Sequence, residues 1–151
     1  DTANLAISAS VSANCTISAT NLAFGTYDPV VANVSSALDG TGTVTVACTK
    51  GASGLSIGMS NGGNFSGGTR RMGPVAGDYL NYGLYQPGGS PPPGTCPSTT
   101  AWGTTIGTDT LSLSAPTSKA GRLYNVCGTI PANQDVAVGA YSDTVSATIN
   151  F

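Results

Sequence analysis

Residues 3 to 19 alternate apolar and polar side chains with hardly a break. Ala3, Leu5, Ile7, Ala9, Val11, Ala13, Cys15, Ile17 and Ala19 fall on one face, and the even positions between them are polar except Ala6. A period of two marks a half-buried β-strand. Drawn out as one strand at about 3.4 Å per residue, the strip spans roughly 54 Å. A compact chain of this size is only about 40 Å across, so one globule has no room to bury both ends. The strip is therefore expected to divide, its second half serving its own domain and its first half a groove in a neighbouring molecule. The alternative, a tail kinked back onto its own domain, needs a break near Ser12-Ala13-Asn14, and neither Gly nor Pro interrupts residues 3 to 19.

Composition narrows the class. Charged residues make up 8% of the chain, against about 25% in ordinary soluble domains. The seven acids are all Asp and the five bases leave a net charge of −2, which gives no basic footprint for nucleic acid. No apolar run approaches the 18 or so residues of a membrane-spanning helix, so no membrane insertion is expected. Solubility falls to Ser, Thr, Asn and Gly. The chain opens at Asp1 with no basic-then-apolar leader and reads as a mature secreted form.

Cys15, Cys48, Cys96 and Cys127 are widely spaced, and there is no His. That pattern fits neither a CxxC redox site nor a mixed zinc site, so neither metal nor cofactor is expected. Disulfides in an oxidising compartment are the better reading. Sequence alone leaves three pairings open. The preferred one, Cys15–Cys48 with Cys96–Cys127, closes two loops of about thirty residues, each contributing about 4 kcal/mol in the chain-entropy model. Catalysis is not expected. Without His there is no Ser-His-Asp or Cys-His arrangement, and the aspartates sit mostly beside Gly, Pro or Thr, as turn residues do.

The remainder reads as short strands punctuated by Gly and Pro, the pattern of a sandwich or barrel. Strands are expected over 22–27, 41–49, 54–60, 79–85, 109–114 and 122–130, with a last one carrying Val145, Ala147, Ile149 and Phe151 in alternation. Residues 64–77 read as a glycine-rich loop exposing Arg70 and Arg71, and 86–100 as a Pro/Gly excursion pinned only by Cys96. The last strand has no sequence-adjacent partner, and the first strip has apolar material to spare. The two complement each other.

The strip with Cys15, the VTVAC around Cys48, and the ending GAYSDTVSATINF with Tyr141, Asp143 and Val145 resemble the spore coat protein U domain family, which includes subunits of archaic chaperone–usher pili. The Pro-rich loop and the Cys96/Cys127 pair are not part of that likeness. The resemblance implies an all-β, incomplete immunoglobulin-like sandwich of six strands plus an N-terminal donor strand, with residues 1–12 as the donor and 13–151 as the domain. Ala3, Leu5, Ile7, Ala9 and Val11 would be the donated side chains. Val145, Ala147, Ile149 and Phe151 would form the acceptor edge, with the Phe151 carboxylate as the chaperone's anchor. The implied partners are identical or homologous subunits joined head to tail, a periplasmic chaperone and an outer-membrane usher. The implied product is a surface filament for adhesion and biofilm, reached through the periplasm. Two other readings remain: a spore-coat structural protein, and a pilus-tip adhesin whose ligand surface is built from Arg70, Arg71, Pro91 to Pro93 and Trp102.

Overall fold

The computed structural model describes residues 1–90 and 92–151; Pro91, part of the proline run just mentioned, lies outside the described residues. Among the described residues eight strands form: β1 (Cys15–Thr20), β2 (Leu38–Cys48), β3 (Ser56–Met59), β4 (Arg70–Val75), β5 (Asp78–Tyr85), β6 (Leu111–Ser112), β7 (Arg122–Ile130) and β8 (Ala147–Asn150). They make a five-stranded sheet in the order β1-β2-β7-β5-β4 and a three-stranded sheet in the order β6-β3-β8. Every pairing is antiparallel.

Alternation decides which faces meet. Val44, Val46 and Cys48 of β2, Leu80, Tyr82 and Leu84 of β5, and Tyr124, Val126 and Ile130 of β7 all turn inward and are buried. Opposite them lie Leu55, Ile57, Met59 and Leu111, so two apolar faces enclose one core. Trp102 sits at its centre, fully buried. Its backbone N–H donates to Leu84 O of the large sheet (3.0 Å), and its indole Nε1–H donates to Ile57 O of the small one (2.8 Å). The result is the expected all-β sandwich, incomplete because three strands cannot cover the inner face of five.

Cys15 is bonded to Cys48, its partner directly across the β1–β2 ladder. Cys96 is bonded to Cys127 and fastens the 86–100 excursion to β7. Replacing Cys15 and Cys48 together by alanine is expected to remove about 2–5 kcal/mol. Urea denaturation reads this directly; an unmoved midpoint would mean the ladder alone holds β1.

Several expectations need correction. Residues 22–27 form no strand, and Gly25 among them has a positive φ of 81°. The 64–77 segment is not all loop: β4 lies within it at the edge of the large sheet, where Pro74 is tolerated because an edge strand has a side free of ladder bonds. Its register shifts between Met72 and Val75, which breaks the alternation that would have revealed it. The 86–100 excursion is held by more than Cys96. Gly88 and Thr95 exchange backbone bonds (2.8 and 2.9 Å), and Asn125 N donates to Pro93 O (2.8 Å).

Candidate functional site

Where the small sheet stops short, the inner face of the large one opens into a groove of about 1010 Å³. Its floor includes Val44, Leu80, Tyr82, Leu84, Val126 and Ile130; residues 19–27 form one wall and 136–147 the other. At one end Cα atoms of β1 and β8 approach within 8 Å. Strands flanking a third stand about 9.6 Å apart, so that end is shut. The lining runs out at the other end through Tyr27 and Val138, where Tyr27 O–H donates to Pro131 O (2.9 Å) and accepts from Gln134 N (3.0 Å).

Glycines shape the first wall. Gly40 and Gly42 of β2 and Gly128 of β7 occupy inward-facing positions in phase with Val44 and Val126. A Cβ on Gly128 would stand 2.7 Å from both Leu22 Cδ1 and Phe24 Cζ. The side chains of Leu22 and Phe24 lie in this space, and Phe24 meets Tyr82 edge-on at 6.4 Å between centroids. Gly128→Val is expected to push this wall away at a cost of about 1–3 kcal/mol. Thermal melting checks it; an unchanged transition would mean that the wall yields freely.

The second wall is the irregular segment that leads into β8, held by two main-chain bonds. Ser60 N donates to Ser146 O (2.9 Å) and Gly73 N to Ser142 O (3.0 Å). Main-chain groups of alternate residues in an extended chain point to opposite sides, so those of Tyr141, Asp143 and Val145 face away from these partners, and among the described residues they have no main-chain bond. The wall's side chains are fixed from below. Asp143 accepts from Tyr82 O–H through Oδ2 (2.6 Å) and from Gly63 N through Oδ1 (2.8 Å). Tyr141 O–H donates to Ala137 O four residues back (2.8 Å), as in the tyrosine corner of immunoglobulin-like folds. Arg70, expected in a solvated turn, is half-buried and donates to Met59 O, Ser60 O and Trp102 O.

Burial, reinforced by the bond to Asp143, pushes the Tyr82 hydroxyl above the ordinary tyrosine range. A raised folded-state pKa contributes stability that is complete below the unfolded value of about 10 and is lost as pH climbs above it. Tyr82→Phe is therefore expected to be less stable than the native chain at neutral pH, with the gap narrowing in alkali. Melting curves on either side of pH 10 test this; a gap that stays constant would show the hydroxyl is not the titrating group.

Residues 1–14 belong to no strand and are exposed throughout. Leu5, Ile7 and Val11 are 84%, 89% and 86% exposed, and Ala3 and Ala9 are exposed with them. The tail leaves the domain at a fixed point. Asn14 N donates to Thr49 Oγ1 (3.0 Å), Thr49 N returns a bond to Asn14 O (2.9 Å), and Thr49 O–H also reaches Ser12 O (3.3 Å). Of the acceptor-edge residues, Val145 and Ala147 line the groove. Ile149 packs on the core opposite Ile57, and Phe151 is exposed beyond β8. The sequence reading missed Leu22, Phe24 and Tyr82. Glycines in phase with core residues were the available signal, because an inward position without a side chain must be filled from elsewhere.

Comparison with known proteins places the chain among relatives. The model of the Spore Coat Protein U domain matches residues 1–148. Protein U of Myxococcus xanthus is 37% identical over 164 aligned residues, covering 99% of this chain and 84% of that protein. Among solved structures, a chain of the CsuC-CsuE chaperone–tip adhesion subunit pre-assembly complex, from the archaic chaperone-usher Csu pili of Acinetobacter baumannii, superposes with a TM-score of 0.56 at 20% identity. The match covers 93% of this chain but only 40% of that one.

Proposed function

The chain belongs to the Spore Coat Protein U domain family, and from that premise we propose that it is a structural subunit of a surface filament that polymerises by donating residues 3–11 to the groove of a neighbour. One observation carries the reading: the same chain has an apolar groove it does not fill and an apolar strip it does not bury. Adding a strand to an open sheet edge is a known mode of recognition, and it includes donor-strand complementation in pili. The donated strand would lie between 21–27 and 139–147, bond to the free main chain of Tyr141, Asp143 and Val145, and lay Leu5, Ile7 and Val11 on the floor. Burying those three is worth about 1.5–3 kcal/mol each.

The geometry also favours one direction of insertion. Because the groove is shut at the β1–β8 end, the strand enters with its first residues leading and its tether at the Tyr27–Val138 mouth. Strip and groove are different surfaces of one molecule, so each contact is heterologous and the product is an open filament. Before assembly the groove is an aggregation hazard. A periplasmic chaperone covering it and an usher exchanging it for the donor strand answer that hazard. The path then runs through the periplasm to the cell surface, where the filament serves adhesion and biofilm.

A second reading, a spore-coat structural protein, is favoured by the greater identity to Protein U than to the pilus complex. It uses the same strip and groove. Size analysis in unheated detergent tests the shared mechanism: a heat-sensitive ladder lost on deletion of residues 1–12 is expected, and a monomer insensitive to the deletion would refute it.

A further inference from the structure

Exposed valines stand at the Tyr27–Val138 end of the groove: Val138 lines it, and Val30 and Val31 directly follow Pro29, which also lines it. Val138 is 99% exposed, and Val30 and Val31 are largely exposed. They do not hang loose. Asp28 Oδ1 accepts from Val30 N (2.9 Å) and Val31 N (3.1 Å), and those bonds hold the Asp28 carboxyl below its ordinary pKa. Asn33 N donates to Asp28 O (2.7 Å) and Asn133 N to Asn33 O (2.9 Å), tying the turn to the segment after β7.

Acids gather at the same pole. Asp39 stands beside Thr129 at the start of β2, Asp78 accepts from Ala137 N, and Asp135 precedes the second wall. With Asp28 they are four of the chain's seven acids. Three of the five bases lie at the other pole, where the tail departs; Arg70 is held against Met59, Ser60 and Trp102, and Arg71 stacks over Tyr79. Lys50 follows Thr49, the residue that grips the tail. Lys119 lies in the adjoining loop, which is joined there by the bond from Gly51 N to Pro116 O (2.9 Å). Arg122 begins β7 opposite Val46. Lys50 and Lys119 are exposed, whereas Arg122 is partly buried and donates to Ser114 O (2.7 Å).

We propose that these poles dock: the acidic, valine-rimmed mouth of one copy seats the basic tail pole of a second copy, a body-to-body junction beyond the inserted strand. The inference rests on the donor-strand reading. The tether brings the two bodies together. Val11 would be the last donated residue, the next residue, Ser12, is already held by Thr49, and successive Cα atoms are 3.8 Å apart. The second globule is thus delivered against the mouth, with opposite charge facing opposite charge. Complementary poles of this kind speed and orient association.

A charge swap tests the junction. Lys50→Glu with Lys119→Glu makes both poles acidic; Asp39→Lys with Asp135→Lys cancels the negative charge of the mouth and leaves the tail pole basic. Ladder formation is timed in unheated detergent from purified subunits, each variant first checked by its melting temperature. At about 10 mM salt, where the Debye length is about 30 Å, each variant alone is expected to assemble about tenfold more slowly than the native chain. An equal mixture should assemble faster than either variant alone, because the basic tail poles of one then meet the acidic mouths of the other. At about 1 M salt the differences should vanish. Native rates for the single variants, or a mixture no faster than its parts, would overturn the junction while leaving strand donation intact. Ladders from a subunit carrying Leu5→Asp and Ile7→Asp would overturn strand donation itself.

Discussion

A subunit carrying Leu5→Asp and Ile7→Asp is expected to fold like the native chain and to form no polymer. Both side chains point to solvent in the free subunit, so the substitutions remove no internal contact and its melting temperature should stay where it is. In a filament built by the proposed strand donation, each change would forfeit about 1.5–3 kcal/mol of apolar burial and force a carboxylate into an apolar groove, a further cost of at least a few kcal/mol. Together these exceed three powers of ten in affinity. The measurement is paired: thermal melting of the monomer, and the ladder in unheated detergent. A lost ladder with a lowered melting temperature would show that the tail braces its own domain instead.

Trp102→Ala is expected to have the largest effect on the subunit itself. Emptying a fully buried indole site costs about 3–5 kcal/mol, and stranding the Ile57 carbonyl adds about 1–3. Domains of this kind hold only about 5–15 kcal/mol in all. Trp102→Phe keeps most of the volume and loses the hydrogen bond, so it should fall between alanine and native. The residue joins the two sheets through Leu84 and Ile57. A ligand-binding role for Trp102 would instead predict that alanine leaves the urea midpoint unmoved.

Much of this was legible in the residues. Strict alternation identified β2, β5, β7 and the Ala147–Asn150 strand, and the length of the first strip implied that Leu5 and Ile7 leave their own globule. What stayed hidden was held by contacts distant in sequence. β4 is irregular because Gly73 and Pro74 break its alternation, yet pairing with β5 holds it. Arg70 looked like a solvated turn residue, because nothing local shows that Met59, Ser60 and Trp102 turn their carbonyls toward it. Leu22 and Phe24 form the groove wall only because Gly40, Gly42 and Gly128 lie beneath them, an arrangement that spans more than a hundred residues of chain.

Under mechanical load, the position of the first disulfide matters. Tension applied through residues 3–11 reaches the domain at Ser12 and Asn14 and, one residue further, arrives at Cys15. There it passes through a covalent bond to Cys48. β1 cannot be peeled from β2 bond by bond, because the first rung of the ladder is the one that does not open. Under the proposed strand donation, a strained chain of such subunits should part at its inserted strands, leaving every domain folded and able to be refilled.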